Sequence, residues 1–245
     1  MTIKSWAAIG LLVTAFVSAS TAPQAASLSV APVTVEIPAP GATSTLTLRN
    51  EGDRPLNAQI RVFSWTQVDG VEKLVPTEDV VASPPLVSLQ PKSDYTVRIV
   101  RVNKRPVSGE ENYRLLVDEL PDPAHKQSSA VNIVLRYSIP VFFVAPSSTE
   151  ARLNWTIQQQ GGRIFVTASN SGDRRVRISR LKIKDAKGVT VSLGDGLAGY
   201  VLGRSTMKWA LPRRAGPFSA NGTVAVSALG DRGPITASAL PQGAR

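Results

Sequence analysis

The chain has 245 residues, 42% of them hydrophobic, with a formal charge of +10, one histidine and no cysteine. That apolar content supports a sizeable core in one large or two ordinary domains and excludes a disordered chain. The lack of cysteine excludes disulfide staples, thiolate metal sites and thiol redox chemistry.

In chain order, residues 1–26 come first. Lys4 gives a positive start, Trp6–Val17 is apolar, and small residues follow up to Ala22 and Ala25-Ala26. This is the pattern of a secretory signal peptide, with cleavage expected after Ala22 or Ala26. Its apolar stretch is short of the ~20 residues that span a bilayer. No later stretch is long and apolar enough either, so the expected mature protein is soluble, with no stable membrane insertion. An exported chain without cysteine fits the bacterial periplasm.

No segment shows sustained helical periodicity. In the first half, Leu28–Ile37, Thr43–Arg49, Leu56–Trp65, Leu86–Leu89, Tyr95–Val100, Tyr113–Leu120 and Ala130–Val144 read as strands. Asn50-Glu51-Gly52-Asp53 and Val68-Asp69-Gly70 are turn signals. In the second half, Leu153–Gln158, Arg163–Asn170, Val176–Lys184, Val189–Leu193, Tyr200–Trp209 and Thr223–Leu229 repeat the pattern. Two successive sets of about seven short strands predict an all-β protein of two immunoglobulin-like β-sandwich domains. The expected boundary is the polar stretch Pro146–Glu150. It gives domains 27–146 and 147–240, with a tail at 241–245. So short a linker implies domains in close contact with a cleft between them.

The stretch Ala130–Pro146 stands out. Val131, Ile133 and Leu135 alternate with Asn132 and Arg136, and Ile139 to Pro146 is then wholly apolar. Alternate residues of a strand face opposite sides, so this apolar row needs a cover. Either the chain's own core or another protein supplies it.

Catalytic vocabulary is sparse. His125 stands alone in a polar loop, and with no cysteine a zinc site has too few ligands. The P-loop, dinucleotide fingerprint and G-x-S-x-G elbow are all missing. Asp118 and Glu119 are adjacent, so in a strand they face opposite ways, which is wrong for paired-carboxylate chemistry. The reading is a binding protein without a cofactor, not an enzyme. Arg98, Arg101 and Arg136 lie on strand-like segments. If Arg98 and Arg136 converge on the cleft, they offer bidentate bonds to a carboxylate. Otherwise they are charges that protect sheet edges. Residues 27–146 hold 12 Lys and Arg against 13 Asp and Glu, whereas residues 147–245 hold 15 against 5. The positive charge is therefore a property of the second half. It suits an anionic surface or partner, or simply a solvated face; export argues against nucleic acid.

Four segments resemble the PapD-like periplasmic chaperones of the chaperone–usher pilus pathway. They are Thr45–Asn50, Val81–Pro91 (VASPPLVSLQP), Tyr95–Arg101 and Tyr113–Pro121 (YRLLVDELP), in the family's order, followed by the alternating strand. The resemblance implies two sandwiches set in an L or boomerang. It also implies a chaperone, monomeric when free, that lends its seventh strand to a fimbrial, pilus or spore-coat-like subunit lacking one, and then delivers that subunit to an outer-membrane usher. Val131, Ile133 and Leu135 match the donor residues. The family anchors the subunit's terminal carboxylate with an arginine in the first strand and a lysine late in the donor strand. Here those places fall near Thr34 and near Pro140 or Val141, so both standard cations are missing. This departure looks like the archaic branch, with Arg98 and Arg136 as anchor candidates and Arg101 in reserve. The alternative is a secreted tandem immunoglobulin-like adhesin that binds a polyanion through its basic second domain.

Overall fold

The computed structural model of the chain describes residues 28–121, 134–212 and 218–242. The expected signal segment lies outside them. The described residues form strands and turns, with no helix.

The first half builds two sheets. One contains β1 (Leu28–Ala31), β3 (Thr43–Asn50), β8 (Asp94–Arg101) and β6 (Val80–Ser83), in that spatial order. The other runs β2 (Val35–Pro38), β10 (Arg136–Val144), β9 (Glu110–Leu120), β4 (Leu56–Val68), β5 (Val71–Pro76), with β7 (Leu86–Leu89) paired to β4. Alternation explains the packing. Leu46 and Leu48 of β3, Val97 and Ile99 of β8, and Leu115 and Val117 of β9 are buried in one shared core. The residues between them point to the opposite faces of their sheets.

The second half is a single eight-stranded sheet folded over its own core. Its order is β14 (Thr190–Ser192), β13 (Val176–Lys184), β17 (Val224–Gly230), β18 (Gly233–Pro241), β11 (Leu153–Gln160), β12 (Arg163–Asn170), β16 (Thr206–Ala210). β15 (Leu197–Val201) also pairs with β13. Trp155 and Trp209 stack in that core with ring centroids 6.0 Å apart.

Two expected strands are divided. Leu28–Ile37 breaks into β1, which pairs with β3, and β2, which pairs with β10 in the opposite sheet. The buried positions change parity across the break, from Leu28 and Val30 to Val35 and Ile37. An unbroken strand could not bury both pairs on one face. Tyr200–Trp209 likewise spans the end of β15, a turn and β16.

The two halves share a turn. Asn50-Glu51-Gly52-Asp53-Arg54 and Asn170-Ser171-Gly172-Asp173-Arg174 have the pattern N-x-G-D-R. Asn50, fully buried, donates from Nδ2 to the carbonyls of Arg54 (2.7 Å) and Leu89 (3.2 Å). Its Oδ1 accepts from Gly52 N–H (2.9 Å). Asn170 repeats this with Arg174 (2.7 Å), Leu202 (3.1 Å) and Gly172 (3.0 Å). A Cβ on Gly172 would lie 2.0 Å from the Glu150 carbonyl oxygen, so glycine is required there. Replacing Asn50 or Asn170 by Ala strands buried backbone groups and should cost about 1–3 kcal/mol each by urea denaturation.

The halves pack through a third apolar cluster of Trp65, Phe142, Val144, Tyr200 and Leu202. The Arg114 guanidinium lies 3.7 Å from the Trp65 ring centroid, and that of Arg175 lies 3.5 Å from the Phe142 centroid. Arg175 also pairs with Glu36 and Glu110 of the first half, both at 2.6 Å. Gln67 Nε2 donates to Tyr200 O (2.7 Å), and Leu202 N–H donates to Gln67 Oε1 (3.0 Å).

Candidate functional site

β10 is paired on one side only over part of its length. β9 runs against it antiparallel from Arg136 to Val144, whereas β2 joins it parallel only from Val141 to Val144. Leu135 O accepts from Glu119 N–H (2.9 Å), and Val144 O accepts from Ala39 N–H (2.8 Å) on the other side. Backbone groups alternate along a strand, so odd-numbered residues turn theirs to β9 and even-numbered ones to the opposite edge. The N–H and C=O of Arg136 and Ser138 therefore face no other strand among the described residues, and the ladder with β2 takes over from the C=O of Pro140 onward. Pro140, having no N–H, leaves no donor unpaired there. Such an edge is a template for another chain.

The side chains hold this edge rigidly. Tyr137, Ile139, Val141 and Phe143 enter the first core, and Leu135 packs half-buried against it. Tyr137 Oη donates to Leu28 O (2.6 Å). Of the expected donor residues, Leu135 is thus placed beside the core at the start of the open edge, while Val131 and Ile133 lie outside the described residues, as does His125.

The arginines separate. Arg136 points from the outer face of the second sheet, its side chain 63% exposed, and pairs with Asp118 Oδ1. Arg61, on the neighbouring strand β4, pairs with Asp118 Oδ2 at 2.6 Å. Burial pushes the Asp118 carboxyl up, but hydrogen bonds from Arg136 and Arg61 outweigh it and hold the group below the usual carboxylate range. Arg98 stands exposed between buried Val97 and Ile99, on the outer face of the other sheet. Arg98 and Arg136 are therefore on opposite sides of the sandwich and do not converge. Arg101 is buried and engaged by both Glu111 oxygens (2.8 and 2.7 Å) and by the carbonyls of Asn103 and Arg105. Arg61 carries little mark of this role in the sequence. Its only signal there is its polar place in the alternation Ala58-Gln-Ile-Arg-Val62.

Thr34 and Pro140 flank the end of the open edge, where Val35 first meets Val141. Neither carries a charge. Nearby, a cleft of about 330 Å³ between the halves is lined in part by Glu36, Glu150, Arg174, Arg175 and Arg232. These five charges are already paired with one another or with Glu110. Among the described residues no cluster of His, Cys, Asp or Glu has metal-binding geometry.

Residues 27–150 match the family model of the pili and flagellar-assembly chaperone, PapD N-terminal domain. No curated protein matches the chain in sequence. Among solved structures it is similar to the CsuC–CsuE chaperone–tip adhesion subunit pre-assembly complex from archaic chaperone–usher Csu pili of Acinetobacter baumannii. That likeness has a TM-score of 0.70 at 25% identity, over 89% of this chain and 100% of the other. The E. coli chaperone DraB follows at 0.57 and 22% identity, over 86% and 98%. The Pseudomonas aeruginosa CupB2 chaperone gives 0.55 and 18% identity, over 87% and 100%. With half its length matched by the family model and the same all-β, two-domain immunoglobulin-like fold, the chain belongs to the PapD family of pilus-assembly chaperones.

Proposed function

We propose that this chaperone works in the periplasm by lending the open edge of β10 to a fimbrial subunit that lacks a strand. The observation that carries this is the row of backbone groups at Arg136 and Ser138 left without a strand, on an edge fixed by the core beneath it. A subunit strand pairs there by main-chain hydrogen bonds, and Val131, Ile133 and Leu135 supply donor side chains to its groove. Each buried side chain of this size contributes about 1.5–3 kcal/mol before ordering costs. Arg136, with Arg61 beside it, receives the subunit's terminal carboxylate. It is the arginine of the expected three that is both solvent-exposed and on the edge-bearing strand. The uncharged Thr34 and Pro140, together with the likeness to the Csu chaperone, support an archaic type of system. The capped subunit passes to an outer-membrane usher and is released by exchange with another subunit's donor segment, without catalysis or cofactor.

Periplasmic co-expression with fimbrial subunits encoded nearby tests this. The wild type should yield a soluble one-to-one complex, and Ile133→Asp should lose it. Arg136→Ala should weaken it about 10- to 100-fold, the worth of a charge-assisted hydrogen bond. Retention of the subunit by Ile133→Asp would sink the donor assignment. Unchanged binding by Arg136→Ala would move the anchor elsewhere.

A further inference from the structure

The second domain carries a flat basic face that the subunit reading does not use. Lys182 and Lys184 project from the outer side of β13, between buried Leu181, Ile183 and Asp185. Strand pairing lays two rows across four strands. One is Ser192, Lys182, Ser227, Thr236; the other is Thr190, Lys184, Ala225, Ser238. At about 4.8 Å between strands each row is roughly 15 Å wide. Arg180, one step further along β13, is exposed at a positive φ of 52° where the ladder bulges. Both rows lack carboxylates and aromatic rings.

The three cations of this face are free of ion pairs among the described residues. Arg174, Arg175, Arg177, Arg204 and Arg232 of the same half all sit in ion pairs. Arg180, Lys182 and Lys184 have none among the described residues. The carboxylate nearest in sequence, Asp185, is buried and accepts backbone N–H bonds from Lys187 (2.9 Å), Val189 (2.8 Å) and Ser219 (3.0 Å). Its carboxylate is thus turned toward these backbone donors, and it makes no ion pair with Lys182 or Lys184.

From this arrangement we infer that the Arg180–Lys182–Lys184 face docks the chaperone on an anionic phospholipid bilayer. Small side chains flanking the cations on β14, β17 and β18, most of them hydroxyls, let a planar array of phosphates approach all of them at once and offer donors to phosphate oxygens. A neutral sugar polymer would need a groove or an aromatic platform, and the rows provide neither. Leu240, 60% exposed, shares the parity of Thr236 and Ser238 and adds one apolar contact at the rim. The contacts between the halves come from β2, β4, β5, β9, β10, β15, β16 and the Arg174–Arg175 turn, none of which carries Arg180, Lys182 or Lys184. The face therefore stays open while the edge of β10 is in use.

The test is co-sedimentation of protein purified from the periplasm with vesicles of phosphatidylglycerol and phosphatidylethanolamine, against phosphatidylcholine vesicles. Binding should be confined to the anionic vesicles and vanish in about 0.5 M salt, where the Debye length is only a few ångströms. Each surface cation contributes roughly 5-fold, so the triple variant Arg180→Ser, Lys182→Ser, Lys184→Ser should bind on the order of 100-fold more weakly. A charge-matched control, Lys73→Ser, Arg98→Ser, Lys104→Ser, should bind like the wild type. Equal binding to both vesicle types overturns the inference, as does equal loss in the control. So does capture of a soluble anionic polysaccharide in the absence of vesicle binding. None of these outcomes bears on whether a subunit binds β10.

Discussion

Ser138→Pro should leave the chaperone folded and strip it of its subunit. Ser138 is exposed, and its N–H belongs to the even-numbered set that faces the open edge, so a proline there breaks no bond within the protein. Pro140, two residues on and in the same row, shows that the strand accepts the ring. What the change removes is a donor for an incoming strand, and the ring obstructs that strand's approach. We expect thermal unfolding within a few degrees of the wild type and at least a 10-fold loss of subunit co-purification. Tyr137→Pro is the reciprocal case. Its N–H faces β9, so that variant should be destabilised by about 1–3 kcal/mol through a broken ladder bond, with further loss from the core. If Ser138→Pro retained its subunit undiminished, the open edge would not be the binding surface.

Arg175→Ala should be the most destabilising single change at the junction of the halves. The Glu110 side chain is wholly buried and has Arg175 as its partner, which gives it both a guanidinium bond and a backbone N–H bond. Breaking a buried pair by removing one member costs about 3–5 kcal/mol, because the other charge stays buried. The loss should depend on pH. Burial already pushes the Glu110 carboxyl above its ordinary value in spite of Arg175, and removing the arginine pushes it further. A raised acid costs stability above its folded pKa and nothing below its unfolded value of about 4.3. The gap between variant and wild type should therefore narrow as the pH falls from 7 toward 4. The wild type itself should weaken over the acid range. Glu36 is pushed up by burial but held below its ordinary value by Arg175 and Arg174, and Asp118 is likewise held low by Arg136 and Arg61. Depressed carboxyls stabilise above their unfolded pKa and lose that contribution as pH drops through the lowered value. Urea denaturation at a series of pH values reads both trends, and a gap that stays constant with pH would remove Glu110 from the explanation.

Much of the fold could be read from the chain because the strands obey a two-residue period. Thr43–Arg49 and Tyr95–Val100 were expected within a residue of β3 and β8. The split of Leu28–Ile37 was also written there, in the parity change between Val30 and Val35, but it registers only once two sheets compete for the segment. The apolar run of β10 had a less legible cause. Ile139, Val141 and Phe143 fill the first core, while Phe142 and Val144 turn the other way and seal the junction with Tyr200 and Leu202. Nothing local distinguishes those two uses. Charge partners were the least visible part. Arg98, Arg101 and Arg136 look alike in sequence, yet among the described residues one has no ion pair, one is locked to Glu111, and one shares Asp118 with Arg61, which lies 57 residues before that aspartate. Long-range pairing decides their roles, and pattern alone does not carry it.

The crossover between β1 and β2 acts as a ruler. Because the first strand leaves one sheet at Ala31 and reaches β10 only at Val141, it fixes where an incoming strand must stop. An insertion or deletion at Val33-Thr34 would shift that stop along β10. The chaperone would then measure out a longer or shorter guest strand, with no donor residue changed. Partner choice within such a family can thus drift through the length of a connection as readily as through the chemistry of a pocket.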